Sequence, residues 1–410
     1  MPKQLTIRGT TRMAVKARLC GLSILLALGG SFIARSDEPL KIATAPFLSP
    51  AGRYAVGTHE YLWIDQNRQD PFTKDPKARR HLIVRVWYPA VAVAGAEKAP
   101  YIPQTNEFAE KSTYRAFVNV KTNAVTDAPL AKSKGPFPIL VYQPGGGTQR
   151  FIGTFETEQL ASYGYVVVSA DHSGFSETIL FPDGVAFKPD LHLAPAETGD
   201  FRVDVEKIWN WLNEEVFPTW IADASYTLDK IEELNKTSGQ IFYHQLDLTR
   251  IGMFGWSFGG ATSVEMSIDD PRVKAVVDQD GQLFGAARKK GTSRPLMLMH
   301  HGGEDQAPKP EQQAILNEYI AQTEAWDRSM IEHSTNDRYE VTIAKTQHGH
   351  FSDFMLAIPP DKGELDARRG HAIVIAYTLA FFDKYFRGQA SDLLKGPSAK
   401  YPEVTFSKKP

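Results

Sequence analysis

Apolar and polar positions along the chain fall into two repeats. Over 82–88 they alternate as Leu82, Ile83, Val84, Arg85, Val86, Trp87 and Tyr88, the period of a strand. Strands are expected over 53–65 and 81–90, with turn-rich 65–80 between them. Short apolar runs predict further strands over 136–141, 165–170, 251–254, 273–277, 295–300 and 339–344. Helical spacing appears over 155–163. It appears again after Asp200, a capping residue, where Val205, Ile208, Trp209, Leu212 and Val216 make one stripe, and over 225–235 and 311–330. The run 370–386 is apolar almost all round and must be buried. Eight strands, with helices between the later ones, predict a doubly wound, mostly parallel α/β sheet. Glycines, acids and histidines cluster where strands end, so the site belongs at the strands' C-terminal edge. Proline-interrupted 91–134, with one short helix near 107–118, is expected as a peripheral insertion. A second insertion at 172–199 lies where a small lid would sit. The rest of 37–410 reads as one domain.

The sharpest motif is Gly255-Trp256-Ser257-Phe258-Gly259 after the strand at 251–254, which fits the G-x-S-x-G nucleophile elbow. A serine hydroxyl is a weak nucleophile. A sharp strand-to-helix turn exposes it to a base and aims the next backbone N–H, that of Phe258, at a developing oxyanion. A small serine in a glycine-rich turn is the plainer alternative, but the flanking strand and the small-residue helix start Gly259, Gly260, Ala261 favour catalysis. Gly145-Gly146-Gly147 follows another strand, where α/β hydrolases place the second oxyanion donor. Phosphate cradling is the rival use, and no Gly-Lys-Ser/Thr follows. His348 after the last strand is the expected general base, with His350 as its rival; Asp280 and Asp305, after successive strands, compete to orient it. Asp278 is expected to lie deeper in the sheet. A metal set built on His348, His350 and Asp353, with His300 and His301 recruited, lacks complete ligand spacing. The order Ser, Asp, His is that of the α/β-hydrolase fold. Apolar 354–358 follows the base and suits either an acyl chain or lipid surface, or the core.

Composition narrows the chemistry. In 410 residues, 46 basic and 48 acidic side chains are well mixed, which argues against nucleic acid as a partner. Basic Lys3, Arg8, Arg12, Lys16 and Arg18 precede the apolar run 19–34, the layout of a signal peptide over 1–36 and hence of an exported, periplasmic or secreted protein. The single cysteine, Cys20, lies inside that segment, so a processed chain would have neither disulfide nor cysteine nucleophile.

Three stretches carry a resemblance: Gly255-Trp256-Ser257-Phe258-Gly259-Gly260-Ala261, Asp280-Gly281-Gln282-Leu283-Phe284, and His348-Gly349-His350-Phe351-Ser352-Asp353-Phe354. Together they resemble the type II, plasma-type platelet-activating factor acetylhydrolase family of the α/β-hydrolase superfamily, with likeness running from about Arg53 to the final helix. The resemblance implies Ser257 as nucleophile, Asp280 as acid, His348 as base, and the backbone N–H groups of Phe258 and Gly146 as oxyanion donors. It also implies a calcium-independent serine esterase that removes short or oxidised acyl chains from phospholipids. The reading of the residues themselves calls for no cofactor or metal, a small ester or phospholipid substrate and, through 354–358, peripheral contact with a lipid surface. The sequence departs from the family at Trp256, where relatives often carry histidine, and at Gln143-Pro144 in place of a His-Gly start. An exported esterase, lactonase or polyester hydrolase of the same fold is the nearer alternative. A non-catalytic binding protein is the distant one.

Overall fold

Residues 42–103, 114–176, 179–180, 186–187, 195–303 and 310–409 are described by a computed structural model of the chain. The alternating segment becomes β2 (Arg79–Ala90), which pairs antiparallel with β1 (Ala55–Gln69) in a register that sets Ile83 opposite Leu62. Both faces of β2 are covered over most of its length, which is why its pattern mixes alternation with a nearly continuous apolar run. The chain continues through β3 (Val125–Thr126), β4 (Phe137–Gln143), α1 (Thr154–Ser162), β5 (Val166–Ala170) and a small hairpin of β6 (Ile179–Leu180) and β7 (Ala186–Phe187). Helices α2 (Phe201–Trp211) and α3 (Phe217–Lys236) lead to β8 (Leu246–Trp256), α4 (Phe258–Asp269), β9 (Val273–Gln279) and β10 (Leu296–Gly302). Last come α5 (Pro310–His333), β11 (Arg338–Ala344), α6 (Ala367–Arg387) and β12 (Val404–Lys409).

The main sheet has ten strands in the order β12-β11-β10-β9-β8-β4-β5-β2-β1-β3. Strands β5, β4, β8, β9, β10 and β11 run parallel, and β2 and β12 add antiparallel edges to that block. The two strands beyond the expected eight are β3, two residues long, and β12, whose exposed Ser-Lys-Lys end gives a charged edge rather than an apolar run. From β4 the chain winds outward to β5 and then crosses back to β8, so neighbours β4 and β8 diverge at their C-terminal ends. That is the switch point where α/β sheets open a crevice. Gln143 stands opposite Gly255 there.

Helix ends follow their chemistry. Asp200 caps α2 by accepting from the N–H groups of Arg202 and Val203, and Asp366 caps α6 in the same way. Gly388 closes α6 at φ 66°, a left-handed conformation that glycine adopts without steric cost. The two helices expected after Asp200 form one run, joined by a wide turn at Leu212–Val216 just before Pro218, whose missing N–H disturbs the regular ladder. Helix α6 is buried as its composition demands, with Ile373, Val374, Tyr377, Phe381 and Phe382 fully enclosed.

The stretch 91–134, expected at the periphery, contributes Tyr101, Tyr114, Phe117, Val120 and Ala124 to the largest core cluster. Its scattered aromatic residues lack any regular period, so the sequence pattern hid their burial. Of the short helix near 107–118, only its end lies among the described residues, as a single turn at Arg115–Phe117.

Candidate active site

The nucleophile side is built by the backbone. Ser257 joins β8 to α4 at φ 57° and ψ −124°, a conformation that an ordinary residue adopts only under strain. Its N–H donates to Gln279 O on β9 at 2.9 Å, and the Ala261 N–H returns to Ser257 O at 3.1 Å, which fixes the turn from both sides. The flanking glycines are demanded by contact. A methyl at Gly255 would stand 2.5 Å from Gln143 O, and one at Gly259 would collide with the backbone of Gln143 and Pro144. Strand β4 and its loop can therefore approach the elbow only because those side chains are missing. Phe258 occupies the first turn of α4, where helix geometry leaves N–H groups without intrahelical acceptors.

The loop after β4 folds back on itself, with the Thr148 N–H and hydroxyl both donating to Gly145 O, at 3.1 and 2.7 Å. It brings Gly146 beside Phe258: a methyl on Gly146 would lie 3.5 Å from Phe258 Cβ. The two residues expected to supply oxyanion donors are thus neighbours. At Gly145 a methyl would strike the Trp256 ring at 2.6 Å. The Trp256 indole N–H in turn donates to His348 O at 3.0 Å. Trp256, noted in the sequence only as a departure from a common histidine, ties the glycine loop to the histidine loop.

The acid–base side is built by side chains. His348, in a short helical turn at His348–Phe351 after β11, places Nδ1 2.7 Å from Asp280 Oδ2. Asp280 lies just past β9 at φ 63°, its N–H bonded to Met299 O at 2.9 Å. Burial would raise the Asp280 carboxylate, but His301 and His348 outweigh it and hold the group well below the usual carboxylate range. His350 is committed elsewhere: Nδ1 accepts the Gln347 N–H at 3.0 Å, and Nε2 donates to Leu365 O at 2.9 Å. Of the two acids considered, Asp280 meets His348, whereas Asp305 falls outside the described residues. Asp278 accepts the Gly281 N–H at 2.8 Å and leaves no room for a side chain at Gly260, so it braces the turn that carries Asp280.

Two features were not legible from spacing. His301 at the end of β10 also places Nδ1 2.7 Å from Asp280 Oδ2, so two imidazoles share one carboxylate oxygen. The ligand-type atoms of Asp280, His301 and His348 lie within 4.8 Å of one another, the only such metal-compatible group among the described residues. The set suggested by spacing does not converge: Asp353 instead accepts the N–H groups of Thr154 and Phe155 at the start of α1, at 2.9 and 3.0 Å. The second feature is a buried relay behind the glycine loop. Arg80 pairs with Asp223 at 2.6 Å, Asp223 meets His172 Nδ1 at 2.9 Å, and His172 Nε2 meets the Gln143 side chain at 3.0 Å. Gln143 thus receives through space an imidazole partner that its own position lacks. Phe354, Met355 and Ala357 are buried, which places most of the apolar segment after His348 in the core.

A largely parallel sheet with its switch point between β4 and β8, a strained serine between strand and helix, and a histidine–aspartate pair on the loops after β11 and β9 define an α/β hydrolase. The profile of the family "Platelet-activating factor acetylhydrolase, isoform II" matches residues 46–183 and 231–397. A probable 1-alkyl-2-acetylglycerophosphocholine esterase of Arthroderma benhamiae is 26% identical over 318 residues, 72% of each chain. The platelet-activating factor acetylhydrolase of Cavia porcellus is 24% identical over 291 residues, covering 65% of this chain and 61% of that protein. Among solved structures, a ferulic acid esterase from Streptomyces cinnamoneus superposes with a TM-score of 0.67 at 30% identity, over 89% of this chain and 99% of that one. The chain belongs to the platelet-activating factor acetylhydrolase isoform II family and is a carboxylic ester hydrolase.

Proposed function

We propose that the chain is an exported serine esterase that removes short or oxidised acyl chains from phospholipids through an acyl-enzyme. The observation that carries this reading is the backbone of Ser257, held at φ 57° between β8 and α4, with Gly146 against the following Phe258 and the preceding Trp256 bonded to the loop of His348, which pairs with Asp280. Ser257 Oγ attacks the ester carbonyl carbon while His348 Nε2 takes its proton, since Nδ1 is engaged on Asp280. The carbonyl oxygen becomes an oxyanion received by the N–H groups of Phe258 and Gly146. Collapse breaks the bond to the alcohol, which leaves with the proton from His348, and a water activated by the same imidazole then cleaves the acyl-enzyme. Residues 1–36 would be removed on export, leaving one catalytic domain; much of the insertion at 172–199, expected as a lid, lies outside the described residues, and His172 to Ser176 at its start are buried. Its substrate would be met in solution or at a lipid surface.

Ser257→Ala should lower kcat on a short-chain ester by about 10^4- to 10^6-fold in a folded protein. Near-normal turnover would end the serine-esterase reading. The ferulic acid esterase, 30% identical over nearly its whole length, favours a second reading in which the acyl group is aromatic. Comparing kcat/KM for 1-alkyl-2-acetylglycerophosphocholine, its long-acyl counterpart and methyl ferulate separates the two. Preference for the acetyl lipid supports the first, and preference for the ferulate supports the second.

A further inference from the structure

We infer that His301 is a positioning residue of this site, holding the Asp280 carboxylate by both oxygens so that a fixed face of Oδ2 is presented to His348. The inference rests on the triad proposed above and assigns a role to a residue outside it. His301 donates its backbone N–H to Asp280 Oδ1 at 3.1 Å and reaches Oδ2 with Nδ1 at 2.7 Å, while His348 Nδ1 meets the same Oδ2 at 2.7 Å. The topology explains the arrangement. Strand β9 pairs with β10 up to Gln279 opposite Met299, then turns away at Asp280, and β10 runs on far enough for His301 to clasp the departing carboxylate.

An ionised carboxylate only accepts hydrogen bonds, so each imbedded contact requires Nδ1–H on its imidazole. The clamp therefore selects, for both rings, the tautomer with hydrogen on Nδ1, and for His348 that leaves the Nε2 lone pair to serve Ser257. All three side chains are buried, so water does not substitute readily for a lost donor. Two effects follow. The carboxylate is denied rotation about its own axis, which keeps the imidazole aimed. The second donor also draws charge from Oδ2 and tempers how strongly Asp280 favours a protonated His348. The other titratable groups facing this cluster among the described residues are Asp278 on β9, with Asp327 of α5 acting on it, and His350 on the histidine loop. Burial raises the Asp278 carboxyl and lowers the His350 imidazole, which favours the neutral form of each.

The test replaces His301 by Leu, which fills the space without a donor, and by Asn, whose side-chain N–H stands the same number of bonds from Cα as Nδ1. For His301→Leu, kcat should fall about ten- to a hundredfold with KM little changed, the usual scale for losing the partner that orients a catalytic group. With one donor gone, Asp280 favours the His348 imidazolium more, so the acid limb of the kcat/KM profile should move to higher pH. His301→Asn should recover most of the rate and return the limb toward its wild-type position. Wild-type kcat and an unshifted limb in folded His301→Leu would overturn the inference, as would loss of stability alone. Should the Leu protein not fold, His301→Asn against His301→Gln decides: Gln carries its N–H one bond farther out, and equal kcat in both would overturn the clamp. Labelling of wild-type Ser257 by a fluorophosphonate keeps this failure distinct from failure of the triad. Labelled wild type with an indifferent His301 sinks only the clamp, whereas unlabelled Ser257 sinks the reading beneath it.

Discussion

The two halves of the site are made in different ways. On the nucleophile half, Ser257, Phe258 and Gly146 are placed by backbone, and Gly145, Gly255 and Gly259 beside them are required by an approach of main chain or ring too close for a Cβ. On the acid–base half, Asp280, His301 and His348 come from three separate segments and meet through hydrogen bonds to one carboxylate. The first half depends on shape and fails when volume is added. The second depends on charge and donors, and fails when an atom changes its bonding while volume stays the same.

Asp280→Asn sharpens this contrast most. The amide preserves shape but presents a donor where His348 Nδ1–H needs an acceptor, so kcat should drop by about 10^4-fold with stability nearly unchanged. A loss under tenfold in pre-steady-state acylation would place the orienting acid elsewhere and break the comparison. Gly259→Ala is the matching change on the other half. One methyl against the backbone of Gln143 and Pro144 should cost about 1–3 kcal/mol in denaturant unfolding, because neither carbonyl can swing away as a side chain would. The displaced glycine loop should lower kcat as well. Unchanged stability and rate would show that the loop is slack.

Trp256 bridges the halves, and Trp256→Phe keeps a ring over Gly145 while removing the N–H given to His348 O. A cost of about 1 kcal/mol in stability is expected for that hydrogen bond, with a fall of several-fold in kcat. If kcat is unaffected, the histidine loop is held without it.

Much of the nucleophile half was legible in the sequence because its information is local: a strand, then Gly255 to Gly260, then a helix. The acid–base half was legible only in part. His348 and Asp280 stand at strand ends, but His301 was weighed only as a recruit to a metal set, and its tie to Asp280 was hidden because that partner lies 21 residues away across a parallel strand pair. The relay from Arg80 through Asp223 and His172 to Gln143 was hidden for the same reason, since its members come from β2, α3, the β5 loop and β4. The core role of 91–134 went unread because Tyr101, Tyr114 and Phe117 are spaced irregularly. Strand β12 was missed because four of its six residues face water at a sheet edge.

A smaller effect tests the seam between the halves. Gln279, just before Asp280, accepts the Ser257 N–H and donates its side-chain amide to Glu156 Oε2 at 2.7 Å. Burial pushes the Glu156 carboxyl from 4.5 up to about 7, against hydrogen bonds from Gln279 and Thr378 that lower it. Because the folded state holds this proton more tightly than the unfolded state, the associated stability is complete below about 4.5 and is lost as pH rises through about 7. Glu156→Gln should remove that slope, and it should be more stable than wild type at pH near 8. Parallel pH–stability curves for the two proteins would contradict this. Least of all should change on adding EDTA, since the proposed chemistry uses no metal; loss of rate restored by zinc would turn attention to Asp280, His301 and His348 as ligands.

The most direct measurement is covalent. A fluorophosphonate incubated with the folded wild-type protein should form one adduct per chain, located by peptide mass at Ser257, and labelling should slow strongly in Asp280→Asn and His348→Ala. An adduct at another serine, or none in a protein that still hydrolyses esters, would contradict the assignment of Ser257 as the nucleophile.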